Sequence, residues 1–143
     1  SKNKKGFTLI EILVVVSIIG ILSSIILVGM TGARQRARDA RRIADLKQTQ
    51  SGLELYYSKN GTYPSTSAWS DLETTFKNAA IGVSRLARDP SPGKNYTYAQ
   101  GNSGQNYVLM AVLEFGDTVA TNEVNGTIFG VDCSTELNYC VQF

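Results

Sequence analysis

The polarity pattern divides the chain sharply. From residue 7 to residue 30 nearly every position is apolar, with Thr8, Glu11, Ser17, Ser23 and Ser24 the only polar side chains. A run of about 24 such residues is enough for a helix to span a bilayer core of roughly 30 Å. Beyond Met30 the all-round apolarity gives way to periodicity. Ile43, Leu46, Gln50, Leu53 and Tyr57 recur at alternating three- and four-residue steps, a stripe on one helical face. Ala33, Ala37, Ala40 and Ala44 trace a second stripe of small side chains suited to close helix approach. No proline precedes Pro64, so nothing stops a helix from residue 7 to residue 59, and Asn60-Gly61 then offers a left-handed stop. A helix of that length is a rod of roughly 80 Å. It outruns a bilayer, so its second half must pack on the rest of the chain or on other subunits.

After the helix the period changes. Residues 65–95 read as a connecting region with a short helix over 69–77, and Asp89-Pro90-Ser91-Pro92-Gly93 is a rigid turn. Residues 96–100 are a candidate strand, followed by a polar turn over 101–105. Residues 107–115 are apolar on both alternating faces, which predicts a central strand covered on both sides. Asn125-Gly126 signals a hairpin between a weak strand at 118–121 and a better one at 127–131, and residues 139–143 close the sheet. The expected fold is α+β. A long N-terminal helix, half membrane-type and half amphipathic, lies across a small antiparallel sheet of three or four strands.

Composition narrows the chemistry. Among 143 residues there is no histidine, which removes imidazole catalysis and His-containing metal sites. There is no Gly-rich phosphate loop and no nucleophile clustered with a base, which opposes a membrane-anchored enzyme or solute-binding domain. No enzymatic activity, catalytic residue, cofactor or metal is expected. The net charge of +2 is too small to imply a nucleic-acid partner. Cys133 and Cys140 lack both redox spacing and metal-ligand company. They read as a structural disulfide if this part of the chain is exported, or as two buried thiols in a reducing compartment.

Three lysines, Lys2, Lys4 and Lys5, precede the apolar run. A secretory signal peptide also begins this way, but its apolar region is roughly 7–15 residues long and ends at a cleavage site. Here the run is longer, and helical sequence continues straight through Thr31, Gly32 and Ala33. The segment Lys4-Lys5-Gly6-Phe7-Thr8-Leu9-Ile10-Glu11, with the apolar stretch after it, closely resembles the class III leader and N-terminal helix of type IV pilins and type II secretion pseudopilins. The stretch from Tyr56 to Pro64 resembles the segment after the long helix in major pseudopilins and short pilins.

That resemblance implies a four-part chain: a leader over 1–6, a transmembrane and filament-core helix over 7–30, its amphipathic continuation over 31–59, and a C-terminal domain over 60–143. It implies cleavage between Gly6 and Phe7 and methylation of the new amine by a prepilin peptidase. Glu11, the fifth residue after the cut, would neutralise the Phe7 amine of a neighbouring helix and so set the assembly register. The other partners implied are further copies in a helical filament, an inner-membrane assembly platform, and lipid before assembly. The precursor would sit in the inner membrane and the product in a surface filament. The function implied is that of a structural pilin of a type IV pilus. A major pseudopilin of a type II secretion system is the alternative, and a DNA-uptake pilus subunit a more distant one.

Several residues carry secondary readings. Five arginines, at 34, 36, 38, 41 and 42, follow the span, and by basic-residue count alone would lie in the cytoplasm. The resemblance places the lysines inside instead. The arginines then read as a juxtamembrane belt reaching to headgroups rather than as a nucleic-acid helix. Family members melt their helix locally near a glycine and a proline; Gly20 fits, whereas Val28 stands in the proline's place. Asn60, Asn95 and Asn125 each begin an N-glycosylation pattern, which turns explain without a sugar. Major pseudopilins bind calcium in C-terminal loops, but Asp117, Glu123, Asp132 and Glu136 have no EF-hand spacing.

Overall fold

The computed structural model describes residues 6–115 and 124–143. Helix α1 runs from Leu9 to Asn60, through Gly20 and Val28 alike, and ends where Asn60-Gly61 requires, with Gly61 at φ +73°. Gly6, Phe7 and Thr8 lie outside it. The chain divides into two compact units, one ending at Arg34 and one from Gln35 to Phe143.

In the first unit every side chain from Phe7 to Met30 is exposed, Phe7 and Val28 at 84% and 83%. Two of the three serine hydroxyls in this segment are satisfied within the helix. Ser17 Oγ donates to the Leu13 carbonyl and Ser24 Oγ to that of Ile21, each at 2.7 Å. This segment is long and apolar enough to cross a bilayer.

In the second unit, α2 (Trp69–Ala79) leads to three antiparallel strands: β1 (Thr97–Gly101), β2 (Asn106–Val112) and β5 (Asn138–Gln142), in the order β1-β2-β5. A second, two-stranded ribbon pairs β3 (Thr127–Ile128) with β4 (Val131–Asp132). The helix and sheet thus form the expected α+β fold. β2 is central and doubly covered, as its sequence demands. Tyr107, Leu109 and Ala111 meet Leu46 and Leu53 of α1 and Leu72 and Phe76 of α2. On the other face, Val108 packs with Val131, Cys133 and Cys140. Gly52 lets α2 approach α1, since a Cβ there would stand 2.8 Å from the Phe76 ring.

One expectation requires correction. Residues 127–131 are not one strand; they fold back on themselves at Phe129-Gly130, where both residues have positive φ (49° and 84°). A two-residue turn with that geometry matches strand twist. It also seats the Phe129 ring on Gly101 of β1, where a Cβ would come within 2.0 Å of ring atoms. The partner expected for the hairpin at Asn125-Gly126, residues 118–121, lies outside the described residues. Ala33, Ala37, Ala40 and Ala44 are exposed on α1, so this stripe is left open to the approach of another helix.

Cys133 and Cys140 form a disulfide, S–S 2.00 Å, so the thiol alternative falls. The bridge joins the residue after β4 to the middle of β5 and holds the ribbon over the apolar Val108 face. Opening so short a loop removes about 2–3 kcal/mol by the chain-entropy model. Reduction, or paired replacement by serine, should therefore lower the melting midpoint of the full-length chain in detergent, and tryptophan and tyrosine signals should reveal it. An unchanged midpoint would show that the ribbon is held without the bridge.

Candidate functional site

The N-terminal junction comes first. Gly6 and Phe7 are exposed and non-helical, so the peptide bond between them is not locked into helix hydrogen bonding. Thr8 is the residue before the first helical turn. Glu11 Oε2 accepts from the Thr8 backbone N–H and the Thr8 hydroxyl, both at 2.7 Å, and the Glu11 N–H points back to Thr8 Oγ1 at 3.4 Å. This Thr-x-x-Glu arrangement is a capping box: each side chain satisfies a backbone donor that the helix start leaves without a partner. In the single chain the carboxylate that the sequence singles out is thus engaged with its own helix terminus. It also stays fully accessible to a second chain.

A second cluster gathers around Arg42 in the second unit. Arg42, expected in a headgroup belt, has no exposed side-chain surface. Its Nε and Nη2 form a fork on Asp89, both bonds 2.8 Å. Nη1 donates to Asp39 Oδ1 at 2.7 Å, and Nη2 also reaches Ser91 Oγ and Glu114 Oε1, at 2.8 and 2.7 Å. Arg38 holds Glu114 from the other side, with Nη2 2.5 Å from Oε2. The Asp39 carboxylate in turn accepts the backbone N–H groups of Glu114 and Phe115 at 2.9 and 3.0 Å. The rigid turn at 89–93 supplies Asp89 and Ser91 to this node, so its role exceeds chain reversal. Arg36 lies over the Phe115 ring, 4.5 Å from its centroid.

The electrostatics follow from the geometry. Hydrogen bonds from Arg38 first, then Arg42, hold the Glu114 carboxyl well below the usual carboxylate range. Burial pushes Asp89 up, but the Arg42 fork and the Ser91 N–H outweigh it, and the net direction is down. The Asp89 fork raises the Arg42 guanidinium above its ordinary value against its own desolvation, helped by Glu114 and Asp39. Every buried side-chain polar atom among the described residues is hydrogen-bonded. The cluster is a structural clamp between helix and domain, and it corrects the belt reading for Arg38 and Arg42.

The sequence did carry a signal for it. Stepping back from Leu46 by four and then three residues along the buried stripe lands on Arg42 and Asp39, both buried. Of the other singled-out residues, Asn60 Nδ2 caps the Tyr56 carbonyl at 2.9 Å, while Asn95 and Asn125 are exposed. Asp132 accepts from the Ser134 N–H and hydroxyl, at 2.9 and 2.5 Å, and Glu136 is exposed. Lys2, Lys4, Lys5, Asp117 and Glu123 lie outside the described residues. Among the described residues no three His, Cys, Asp or Glu side chains converge as a metal site would require.

An exposed apolar helix half, started by a capping box and continued into a clamped α+β domain, defines a structural subunit that needs a surrounding phase or other copies to cover its N-terminal half. A profile described as the prokaryotic N-terminal methylation motif matches residues 1–32. Type II secretion system core protein G of Vibrio cholerae is 30% identical over 112 residues, 72% of this chain and 76% of that protein. The protein of the same name from Pectobacterium carotovorum is 36% identical over 64 residues, and the match spans only 41% of its length. The type IV wide pilus major component of Thermus thermophilus is 40% identical over 67 residues, 47% of this chain and 51% of that protein. No solved structure matches. The chain belongs to the type IV pilin and type II secretion pseudopilin family, a family of structural subunits rather than enzymes.

Proposed function

We propose that this chain is processed between Gly6 and Phe7 and polymerises through α1 into a type IV pilus-class filament. The observation that carries the reading is the exposure of every side chain from Phe7 to Met30 directly after that junction. Lipid can cover this surface in a membrane-anchored precursor, and the same surface of other copies can cover it in a filament core. Removal of residues 1–6 would leave a cationic amine at Phe7 within one helical turn of Glu11. The C-terminal domain, clamped to α1 through Arg42, would then form the outer layer.

Two filament types compete. The matches that extend across about 70% of the chain are to secretion core protein G, which favours a secretion pseudopilus. The higher identity to a pilus major component, though over a shorter stretch, keeps a surface pilus as the second reading.

Filaments recovered from cells that overproduce the chain and its assembly system, analysed by intact mass, should contain this chain beginning at a methylated Phe7. A chain that retains Gly6, or is found only as a membrane monomer, would overturn the proposal. Loss of protein export with surface pili intact in a deletion strain would select the pseudopilus. The converse would select the pilus.

A further inference from the structure

The domain carries a groove that neither the clamp nor the apolar helix half uses. It has a volume of about 550 Å³ and lies between the start of α2 (Trp69, Ser70, Glu73, Thr74) and the segment bearing Arg88, Asn95 and Tyr96. That volume falls within the range of small-ligand sites, roughly 300–1,000 Å³. One wall is aromatic: Trp69 and Tyr96 meet edge to face, with centroids 5.3 Å apart. Both rings are fixed from behind. The indole N–H donates to the Ala87 carbonyl at 3.0 Å, and the Tyr96 hydroxyl to Asp45 at 2.7 Å.

The charges around this groove are unevenly spent. Asp89 is consumed by Arg42, and Glu73 is bound to Lys77 at 2.8 Å and to the Leu86 N–H at 3.1 Å. By contrast Arg88, on the groove, and Arg85 and Lys94, on the same segment, are exposed and have no ion pair among the described residues. The Asn95 amide is also exposed and without a partner there. Tyr96 is buried and backs the wall, and the half-buried Trp69 indole is the aromatic surface left for a ring's C–H groups. A free amide and the lone pairs on the Ser70 and Thr74 hydroxyl oxygens suit hydroxyls, and an exposed guanidinium that makes no ion pair and only a weak charge contact with Glu73 suits a carboxylate. We propose that this groove binds an acidic saccharide, a uronic-acid ring laid against Trp69 with its carboxylate on Arg88 and its hydroxyls on Asn95.

The test is direct because Trp69 is the only tryptophan in the chain. Galacturonic acid trimers titrated into the full-length chain in detergent should shift or quench its fluorescence saturably, whereas the neutral galactose trimer should not. Arg88→Gln should weaken binding about tenfold or more, the scale of a lost charge-assisted hydrogen bond. Its thermal midpoint should change little, since Arg88 is exposed, is in no ion pair among the described residues, and reaches Glu73 only as the weakest of that carboxylate's charge contacts. Asn95→Ala should weaken binding less. No response to the uronate at millimolar concentration would overturn the proposal, as would equal binding by Arg88→Gln. Tighter binding of a short oligodeoxynucleotide than of the uronate would overturn the ligand class and assign the surface to phosphate recognition.

Discussion

Replacing Arg42 by methionine should destabilise the C-terminal domain by about 3–5 kcal/mol, the range seen when one partner is removed from a buried ion pair. The loss has two sources. The fork on Asp89 and the bonds to Asp39, Ser91 and Glu114 all disappear together. Asp89, with 2% of its side chain exposed, is then left without its counter-ion. Methionine fills much of the space, so a cavity is not the main cause. Thermal melting of the full chain in detergent, followed by near-ultraviolet circular dichroism, measures the effect. Adding Asp89→Asn to Arg42→Met should recover part of the loss, because the uncompensated charge goes with it. A double variant no better than the single one would mean that packing, not charge, carries the cost.

The same node fixes the sign of the acid response. Glu114 and Asp89 have folded-state values below their ordinary ones. The stability they contribute is complete above the unfolded carboxylate range, near about pH 4–4.5, and is lost as pH falls through the lowered folded values. Wild type should therefore weaken steeply on acidification below about pH 4. Arg42→Met lacks most of that limb, so the gap between the two melting curves should close towards acid. A gap of constant size from pH 7 to pH 3 would exclude the node as its origin.

The clamp is less legible in the sequence than the elements it joins, for a physical reason. Helix α1, its stop at Asn60-Gly61, α2, and the central position of β2 are each written locally, in periodicity or in turn residues. Pairing across sequence separations of 47 and 72 residues, as in Arg42 with Asp89 and Glu114, is written nowhere locally. The five arginines look alike in sequence. Only the phase of the buried stripe separates Arg42, which faces the domain, from Arg41, whose side chain is 63% exposed. The ribbon at β3 and β4 is hidden for a related reason: the turn at Phe129-Gly130 is set by the bare backbone of Gly101, distant in sequence, which accepts an aromatic ring. At the N-terminus the capping box is written locally, as Thr8 and Glu11 three residues apart at the start of the apolar run.

That capping box makes the role of Glu11 separable into two parts. As a cap, the side chain needs only an oxygen that accepts from Thr8, and glutamine serves in this position as well as glutamate. As the counter-ion of a neighbour's Phe7 amine, it needs the charge. Glu11→Gln should therefore insert, be cut between Gly6 and Phe7, and start its helix normally. It should nevertheless give less than about a tenth of the wild-type filament yield, because a cation in a helix bundle without its partner is strongly disfavoured. Glu11→Ala, which loses cap and charge together, should be no worse in filament yield than Glu11→Gln. Sheared-filament yield and the intact mass of the membrane-bound chain are the two readouts. Normal filaments from Glu11→Gln would reduce Glu11 to a helix cap and leave the assembly register to the apolar face alone. Failure of processing in the same variant would move its role upstream, to recognition of the junction by the peptidase. The charge reading requires the processed chain to accumulate in the membrane while filaments disappear.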